Sequence, residues 1–273
     1  MKIFRRVKIN GLKTAVAIGF FDGVHIGHKK VIKKAVDSGF LPVVLTFDYE
    51  NVVPLSKGDI KFITSNRVKF GLFKELGVKI VVVPYFESVK NIEFVDFFEK
   101  ILLKELNAKI LVCGKNLRFG RNRIGDVNSL KLLAKEKGID VYDVDLVKLN
   151  GEFVSSKRIR DVIKTGNLSL LKELLGYCYH IELNFKDCSF LNDYIICKIS
   201  KNMAFLRDGF YVVKTKIKNF LFKAVAKIKE YDEYFLLKIY IKNIRFKDVE
   251  KKVIKVIFID NIRFCWFFIY FML

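Results

Sequence analysis

Several residue types that mark particular protein classes are scarce in this chain of 273 residues. It contains three prolines, three histidines and five cysteines. No two cysteines form a Cys-x-x-Cys pair, so the sequence offers neither a zinc site nor a disulfide framework. We therefore expect free thiols in a reducing, cytoplasmic compartment. The five cysteines are Cys113, Cys178, Cys188, Cys197 and Cys265.

Long apolar runs and leader patterns are also missing. The start of the chain, MKIFRRVKIN, carries charges without the apolar segment of a signal peptide behind them. At the other end, Phe264–Leu273 is intensely apolar but shorter than the roughly 20 residues that a membrane-spanning helix needs. We expect no transmembrane segment. A buried strand, a membrane-associated tail and the end of a shortened domain all fit this stretch.

Acidic residues are outnumbered, with 29 Asp and Glu against 50 Lys and Arg, for a net charge of +21. Such a charge attracts polyanions and keeps nucleic acid among the candidate partners, although a biased genome would produce the same excess. Hydrophobic residues make up 52% of the chain, which supports a sizeable core and argues against global disorder. The length fits one large or two ordinary domains.

The most informative stretch is Ala15–Val31, AVAIGFFDGVHIGHKKV. The apolar run that opens it predicts a buried strand, the Asp22–Gly23 turn ends that strand, and a lysine-rich amphipathic helix follows. A helix start after such a turn presents unpaired N–H groups and the positive end of the helix dipole, which suits phosphate. His25 and His28 are three residues apart, so both imidazoles should lie on one side of the helix start.

The histidine pair has two interpretations. Surface or helix-capping histidines would need no ligand. A His-x-Gly-His signature is instead typical of nucleotidyltransferases, in which one phosphate attacks the α-phosphorus of ATP and pyrophosphate leaves without a protein nucleophile. The protein then has to align the two phosphates and stabilise the charge on their oxygens. Two hydrogen-bond donors beside a helix N-terminus suit that task, so we favour the second interpretation.

Strand-like and helix-like segments alternate as far as about Leu149. This alternation predicts an α/β fold with an open parallel sheet, on which ligands sit beyond the carboxyl ends of the strands. The predicted strands are Ala15–Phe21, Pro42–Phe47, Ile80–Val83, Ile110–Cys113 and Val141–Val144. The predicted helices are Lys29–Ser38, Ser65–Leu76, Glu93–Leu106 and Val127–Lys137.

Two loops at this edge carry further candidate residues. After the second strand, Phe47 or Tyr49 is placed to stack on a flat ring, unless the segment is a loop with one core phenylalanine. After the fourth strand, the loop GKNLRFG presents Asn116 and Arg118, which suit an anionic, aromatic ligand. A basic surface loop or a nucleic-acid contact is the alternative for that segment.

The segment VSSKRIR predicts a helix that begins after Ser155 as its N-cap. Ser156 and Arg160 then lie on the first turn and a half. Hydroxyls and N–H groups there would hold phosphates, and Arg160 would offset their charge. Taken alone, the pattern favours an ordinary capped basic helix, and only together with the histidine turn does it favour a phosphate site.

Residues Lys13–Tyr179 resemble the bacterial bifunctional riboflavin kinase/FAD synthetase family. The motifs that carry the resemblance are GFFDGVHIGH, TFDYEN, GKNLRFGRNRIGD, VSSKRIR and the helix ending LLGYCY. The family implies a Rossmann-like nucleotidyltransferase domain of the HUP type, which we place at residues 1–179. It further implies transfer of AMP from ATP to FMN, giving FAD and pyrophosphate, with Mg²⁺ carried by the phosphates.

The resemblance also implies roles for single residues. His25 and His28 would bind and polarise the ATP phosphates, and Arg160 would offset charge on the departing pyrophosphate. The other nucleotide contacts that it implies are Gly19, Phe20, Phe21, Gly23, Ser155, Ser156 and Lys157. The implied flavin contacts are Phe47, Asn116 and Arg118. The chain departs from the family pattern at Lys157, usually threonine, at Leu117, often phenylalanine, and at Tyr49 and Asn51, usually prolines.

After about His180, short segments rich in β-branched and aromatic residues predict a small antiparallel β-barrel-like domain over residues 180–273. In the family this position holds the riboflavin kinase barrel, and Leu206–Val213 resembles one of its strands. The predicted strands are Tyr194–Ile199, Phe210–Lys218, Phe220–Lys227, Tyr234–Ile241 and Lys252–Phe258.

The kinase signature, a Gly-x-Pro-Thr-x-Asn loop, is absent, because all three prolines lie in the first half of the chain. A weak alignment puts Lys238 at the place of the family's general-base glutamate, and a lysine is a poor base. We therefore expect a shortened domain without kinase activity, which could brace the first domain, form a homo-oligomer or bind anions. Two other functions stay open: another His-x-Gly-His transferase, and a non-catalytic flavin- or nucleic-acid-binding protein.

Overall fold

The computed structural model describes residues 1–48, 61–242, 244 and 253–262. They form two compact units. The first contains the described residues of Met1–Gly58 and Asn66–Ser155, and the second those of Asp59–Ser65 and Ser156–Leu273. The predictions for Tyr49, Asn51 and the tail Phe264–Leu273 lie outside the described residues. No helix in the described part of the chain is long and apolar enough to cross a membrane.

The first unit is a Rossmann-like α/β domain built on a six-stranded parallel sheet, as the alternating pattern predicts. Its strand order is β1-β4-β3-β2-β5-β8. These strands are β1 (Lys2–Phe4), β2 (Thr14–Ile18), β3 (Leu41–Leu45), β4 (Ile80–Val82), β5 (Ala108–Gly114) and β8 (Asp140–Val144). The sequence analysis missed β1, which is only three residues long and has two exposed positions.

Helices connect these strands. All but the short helix at Phe86–Val89 match predicted helices, with bounds that agree within one or two residues at most ends. The helices are α1 (Ile26–Val36), α2 (Asn66–Glu75), α3 (Phe86–Val89), α4 (Phe94–Asp96), which continues as a π-helix over Phe97–Glu105, and α5 (Val127–Glu136). Two short antiparallel pairs complete the unit: β6 (Arg118–Phe119) with β7 (Gly125–Asp126), and β9 (Lys148–Leu149) with β10 (Glu152–Phe153).

Strand β2 lies at the centre of this sheet and is buried along its whole length. Val16 and Ile18 belong to a core cluster that also contains Leu111 of β5 and Phe98 and Leu102 of the π-helix. Burying each such side chain contributes about 1.5–3 kcal/mol. The carboxyl end of β2 is therefore held firmly in place.

The second unit combines two helices, α6 (Ser156–Thr165) and α7 (Leu168–Leu175), with a seven-stranded antiparallel sheet. The sheet order is β11-β17-β14-β15-β16-β13-β12. The strands are β11 (His180–Asn184), β12 (Cys188–Leu191), β13 (Tyr194–Ser200), β14 (Gly209–Ile217), β15 (Phe220–Glu230), β16 (Tyr234–Tyr240) and β17 (Val253–Asn261). The five predicted strands correspond to β13–β17, while β11 and β12 were not predicted.

Alternating burial along these strands puts one face of the sheet in a core. Aromatic rings fill it: Phe258 packs against Tyr179, Phe205 and Tyr211 with ring centroids 5.7–6.0 Å apart. The buried Tyr179 hydroxyl donates to the Ala204 carbonyl at 2.9 Å. Tyr179 ends the predicted first domain and directly precedes β11.

The expectation of free thiols is wrong for two cysteines. Cys188 and Cys197 form a disulfide across β12 and β13, with Cα atoms 4.3 Å apart. The two-residue turn at Asn192 and Asp193 brings them directly opposite each other, a pairing that counting outward from the turn would have found. Cys113 and Cys178 are free, and Cys265 lies outside the described residues.

Breaking this disulfide should lower the free energy of unfolding by about 2–3 kcal/mol, because it closes a loop with a sequence separation of 9. Urea unfolding with and without a thiol reductant measures the difference. The Cys188→Ala/Cys197→Ala variant is the control and should not respond to reductant. Alkylation of both cysteines in denatured, unreduced protein would contradict the pairing.

Candidate functional site

The chain leaves β2 through a strained loop. The strand ends at Ile18, three residues before the predicted end, because Phe21 adopts a left-handed conformation with φ 53°. A 3-10 turn over Asp22–Val24 follows, with φ 78° at Gly23 and 37° at Val24. A positive φ is rare for a β-branched residue such as Val24, and such positions cost about 1–3 kcal/mol each. Strain of this kind is typical of functional sites.

Two glycines let aromatic rings lie directly on the backbone at this exit. A Cβ on Gly19 would lie 2.9 Å from the Phe21 ring, and one on Gly27 would lie 3.2 Å from the His25 ring. Both distances are shorter than ordinary van der Waals contact. A side chain at Gly27 would therefore require the His25 ring to shift by a few tenths of an ångström.

His25 and His28 form a stacked pair, with ring centroids 3.5 Å apart and planes inclined by 19°. His25 is the N-cap of α1, because its Nδ1 accepts a hydrogen bond from the His28 backbone N–H at 3.3 Å. That bond leaves the neutral ring's proton on Nε2. Burial lowers the pKa of His25 to about 4, so the ring is uncharged near neutral pH. His25 thus caps the helix, and both rings share one side of the helix start, as their spacing predicts.

The His28 ring is half-buried beside the more buried His25 ring. Its pKa is held well below the ordinary value by burial, and further by the charges of His25 and Lys69. Its Nδ1 is buried and has no hydrogen-bond partner among the described residues. The Phe21 ring packs edge-on against the His28 ring, with ring centroids 5.3 Å apart. A buried polar atom without a partner costs about 1–3 kcal/mol, which makes this ring a candidate for a functional role.

The exit of β3 lies beside that of β2. The Thr46 hydroxyl donates to the Phe20 carbonyl at 2.9 Å, and the Gly19 N–H donates to the Leu45 carbonyl at 3.1 Å. Phe20 and Phe47 are both half-buried and stack with ring centroids 6.3 Å apart. The predicted nucleotide contact Phe20 and the predicted flavin contact Phe47 therefore form one aromatic surface.

The sequence analysis missed Lys69, whose side chain is completely buried on α2. Its Nζ donates to the Phe47 carbonyl at 2.6 Å and lies 5.5 Å from the centre of the Phe20 ring. Burial lowers the pKa of Lys69 to about 7, although the charges of Asp22 and Asp48 oppose the shift. Lys69 precedes Leu72 and Phe73 by three and four residues, which puts it on the apolar face of the helix. The spacing of Lys69 from Leu72 and Phe73 could therefore have identified it from the sequence as a lysine on the buried side of the helix.

Asp48 joins this charged cluster from the exit of β3. Its carboxylate is almost fully buried and pairs with Arg5 at 2.5 Å. It also accepts a hydrogen bond from the Asn66 side chain. Paired charges and hydrogen bonds are what a buried carboxylate needs to remain ionised. Because Arg5 follows β1 and Asp48 follows β3, this ion pair joins the ends of those two strands.

Asn116 and Arg118 are exposed and line one cavity of about 370 Å³ after β5. Lys115, Leu117 and Asp126 also line it. Arg118 pairs weakly with Asp126 at 3.4 Å. The loop thus brings the two predicted flavin contacts together, and Leu117 packs its side chain against the core of the first unit.

The remaining candidate residues lie at the start of α6. This helix begins at Ser156, so Ser155 immediately precedes it, as predicted. Ser155 and Lys157 are exposed, and Ser156 and Arg160 are half-buried. Ser156, Lys157 and Arg160 belong to the second unit, and their participation in the site stays a prediction. The described residues contain no group of three or more side chains of the kind that ligate metal ions.

A family model described as FAD synthetase matches residues 8–158 of the chain. The chain belongs to the FAD synthetase family. The match includes the stacked histidines, the Phe20–Phe47 surface, Lys69, the Asn116 loop and the start of α6. The resemblance carried by the sequence motifs is confirmed.

Curated relatives support this family membership. Two bear the name bifunctional riboflavin kinase/FMN adenylyltransferase and come from Buchnera aphidicola strains. The Schizaphis graminum strain's protein is 29% identical over 192 residues, 66% of this chain and 61% of the relative. The Acyrthosiphon pisum strain's protein is 28% identical over 237 residues, 79% of this chain and 73% of the relative. A Listeria monocytogenes protein of the same name is 33% identical over 178 residues, 62% of this chain and 55% of the relative.

The fold also has a solved counterpart. A Streptococcus pneumoniae crystal structure titled macrolide-efflux protein aligns with a TM-score of 0.79 and covers 97% of this chain and 91% of its own. At 22% identity, this likeness shows a shared fold alone and nothing about the activity of this chain.

Lys69 should make stability depend on pH above neutrality. Between its folded pKa of about 7 and its unfolded value of 10.5, only the unfolded chain holds the proton. The stability contribution of this group therefore rises with pH, by about 1 kcal/mol per pH unit, and is constant below pH 7. Relative to Lys69→Met, the wild-type protein should gain stability in urea unfolding between pH 7 and pH 9.

Lys74→Met is the matched control, because Lys74 is exposed on the same helix. Its stability should follow the wild-type pH dependence. Equal pH dependence in the wild-type protein and Lys69→Met would contradict the depressed pKa of Lys69.

Proposed function

We propose that the chain transfers AMP from ATP to FMN, giving FAD and pyrophosphate. The proposal rests mainly on the stacked, uncharged imidazole pair at the N-terminus of α1, within the segment that matches the FAD synthetase family. The names of the curated relatives include FMN adenylyltransferase, which agrees with this reaction.

The reaction needs alignment and charge stabilisation more than a reactive side chain. An oxygen of the FMN phosphate forms a bond to the α-phosphorus of ATP, and the bond from that phosphorus to the β-phosphate oxygen breaks. The electron pair leaves with pyrophosphate, so no protein nucleophile takes part. Mg²⁺ arriving with ATP would neutralise part of the phosphate charge.

The site supplies donors for the phosphate oxygens. His25 donates through Nε2–H, since its Nδ1 already caps the helix. The free N–H groups and the dipole of α1 add a fixed positive potential. Because burial keeps the histidines neutral, they act as hydrogen-bond donors and not as cations. In this proposal Ser155, Ser156 and Lys157 hold the leaving phosphates and Arg160 supplies the positive charge.

The flavin side of the proposal uses two surfaces of the first unit. The Phe20–Phe47 surface is a flat apolar area on which the flavin ring would stack. The hydrogen bond from Lys69 to the Phe47 carbonyl holds Phe47 in position. The cavity lined by Asn116 and Arg118 offers an amide to the polar edge of the isoalloxazine and a guanidinium to its phosphate.

Purified protein incubated with FMN, ATP and Mg²⁺ should form FAD, measured by chromatography. His28→Ala should lower kcat by about 10²–10³, the usual effect of losing one donor that stabilises the transition state. Lys33→Ala, an exposed position on the same helix, should keep wild-type activity. No FAD above the level of His28→Ala would refute the proposed reaction.

The proposal includes the loss of riboflavin kinase activity in the second unit. The family's proline-containing kinase loop has no counterpart in the sequence, and Lys238 lies exposed on the outer side of β16, opposite Lys227. An ammonium group has no lone pair with which to accept a proton from riboflavin. Riboflavin and ATP should therefore yield no FMN and no FAD, while FMN and ATP in parallel yield FAD. Any FMN formed from riboflavin would show that the kinase is active.

A further inference from the structure

The outer side of the second unit's sheet carries a dense set of lysines. Along β14, β15 and β16, inward residues are buried and outward residues are exposed or half-buried. Six outward lysines, here called the lysine face, are Lys214, Lys216, Lys223, Lys227, Lys238 and, on β17, Lys255. A further outward lysine, Lys229 of β15, pairs with Asp208 at 3.8 Å and is not counted among them. They occupy four neighbouring strands of one sheet.

The lysines of this face stand directly opposite one another. Strand register pairs Lys214 with Lys223, Lys227 with Lys238, and Lys216 with Lys255. Like charges in directly opposed positions destabilise a sheet. Three such pairs therefore lower the stability of this sheet, and a bound polyanion would reduce the repulsion between them.

Among the described residues, the lysines of this face lack the carboxylate partners that some lysines of the first unit have. Lys115 pairs with Asp145 and Lys131 with Asp143, each at 2.6 Å. Within the part of the chain that the structure describes, none of the six lysines of the lysine face forms an ion pair. The six positive charges are thus not neutralised by ion pairs within the described residues, although Glu182 of β11 stands opposite Lys255 in the strand register.

Aromatic rings lie among these lysines on the same side of the sheet. Phe210 is half-buried beside Lys227, whose Nζ lies 5.2 Å from the ring centre. Tyr194 and Tyr240 are directly opposed, half-buried neighbours with ring centroids 5.4 Å apart. Cations that hold phosphates and rings on which bases stack are the two parts of a single-strand nucleic-acid site.

We propose that the lysine face binds single-stranded nucleic acid, with backbone phosphates on the opposed lysines and bases on Phe210, Tyr194 and Tyr240. Sheet faces with this combination suit unpaired bases, because a duplex offers its phosphates but hides the faces of its bases. The site is independent of the proposed adenylyl transfer, whose residues lie in the first unit and at the start of α6.

The test is fluorescence anisotropy of the full chain with a labelled single-stranded RNA of about 20 nucleotides. Two double variants each remove one opposed pair: Lys214→Gln/Lys223→Gln and Lys227→Gln/Lys238→Gln. The control, Lys135→Gln/Lys172→Gln, removes the same charge from exposed positions on α5 and α7. Unfolding midpoints at low salt check folding and should stay equal or rise in the face variants, since repulsion is relieved.

Each face variant should bind at least fivefold more weakly, and the control should match the wild-type protein. The slope of log affinity against log salt should fall in magnitude by about 1.4 for each lost pair, at about 0.7 per phosphate contact. Tyr240→Leu should weaken binding at least fivefold with an unchanged salt slope, since stacking is lost and phosphate contacts stay.

Three results would overturn the proposal. The first is absence of salt-sensitive RNA binding by the wild-type protein. The second is an equal loss of affinity in the control variant. The third is a preference of the lysine face for duplex RNA or for phosphatidylserine vesicles over the single strand, which would assign the surface to a different partner.

Discussion

The geometry of the candidate site depends on where the chain leaves strand β2. Every residue of that strand is buried, so its carboxyl end is fixed by the core. From that point the chain must turn at once into α1, and it does so with three positive φ angles between Phe21 and Val24. The turn places His25 as the cap of the helix and stacks it on His28. The strain in the loop is the cost of bringing both imidazoles to one helix start.

A buried lysine side chain completes this arrangement. Lys69 lies 5.5 Å from the Phe20 ring centre, donates to the Phe47 carbonyl, and interacts electrostatically with Asp22 and Asp48. Buried charges of this kind rarely add stability, because removing them from water costs more than their pairing returns. Their benefit here is positional, since they hold two strand exits and one aromatic surface in register. The same charge also helps to keep His28 neutral.

The sequence predicted the parallel sheet because alternating apolar and amphipathic segments leave few other architectures. It predicted the histidine pair because His-x-Gly-His follows a strand. It could not predict how far β2 extends, since apolar Phe20 and Phe21 continue the pattern of the strand while Phe21 adopts a left-handed conformation. The Cys188–Cys197 disulfide and strand β12 follow from a two-residue turn after Leu191. A prediction of that turn would have placed the two cysteines opposite each other. Lys69 was overlooked because a lysine in a helix is usually assigned to the solvent side.

The central claim is that two neutral imidazoles at the start of α1 contact a nucleoside triphosphate. Nitrogen-detected NMR of the imidazoles tests it directly, because the chain has only three histidines and a His180 variant assigns the third. The account predicts that His25 and His28 are neutral at pH 7 and that both signals move on addition of a non-hydrolysable ATP analogue, while His180 stays in place. Unchanged His25 and His28 signals at a saturating analogue concentration would contradict it.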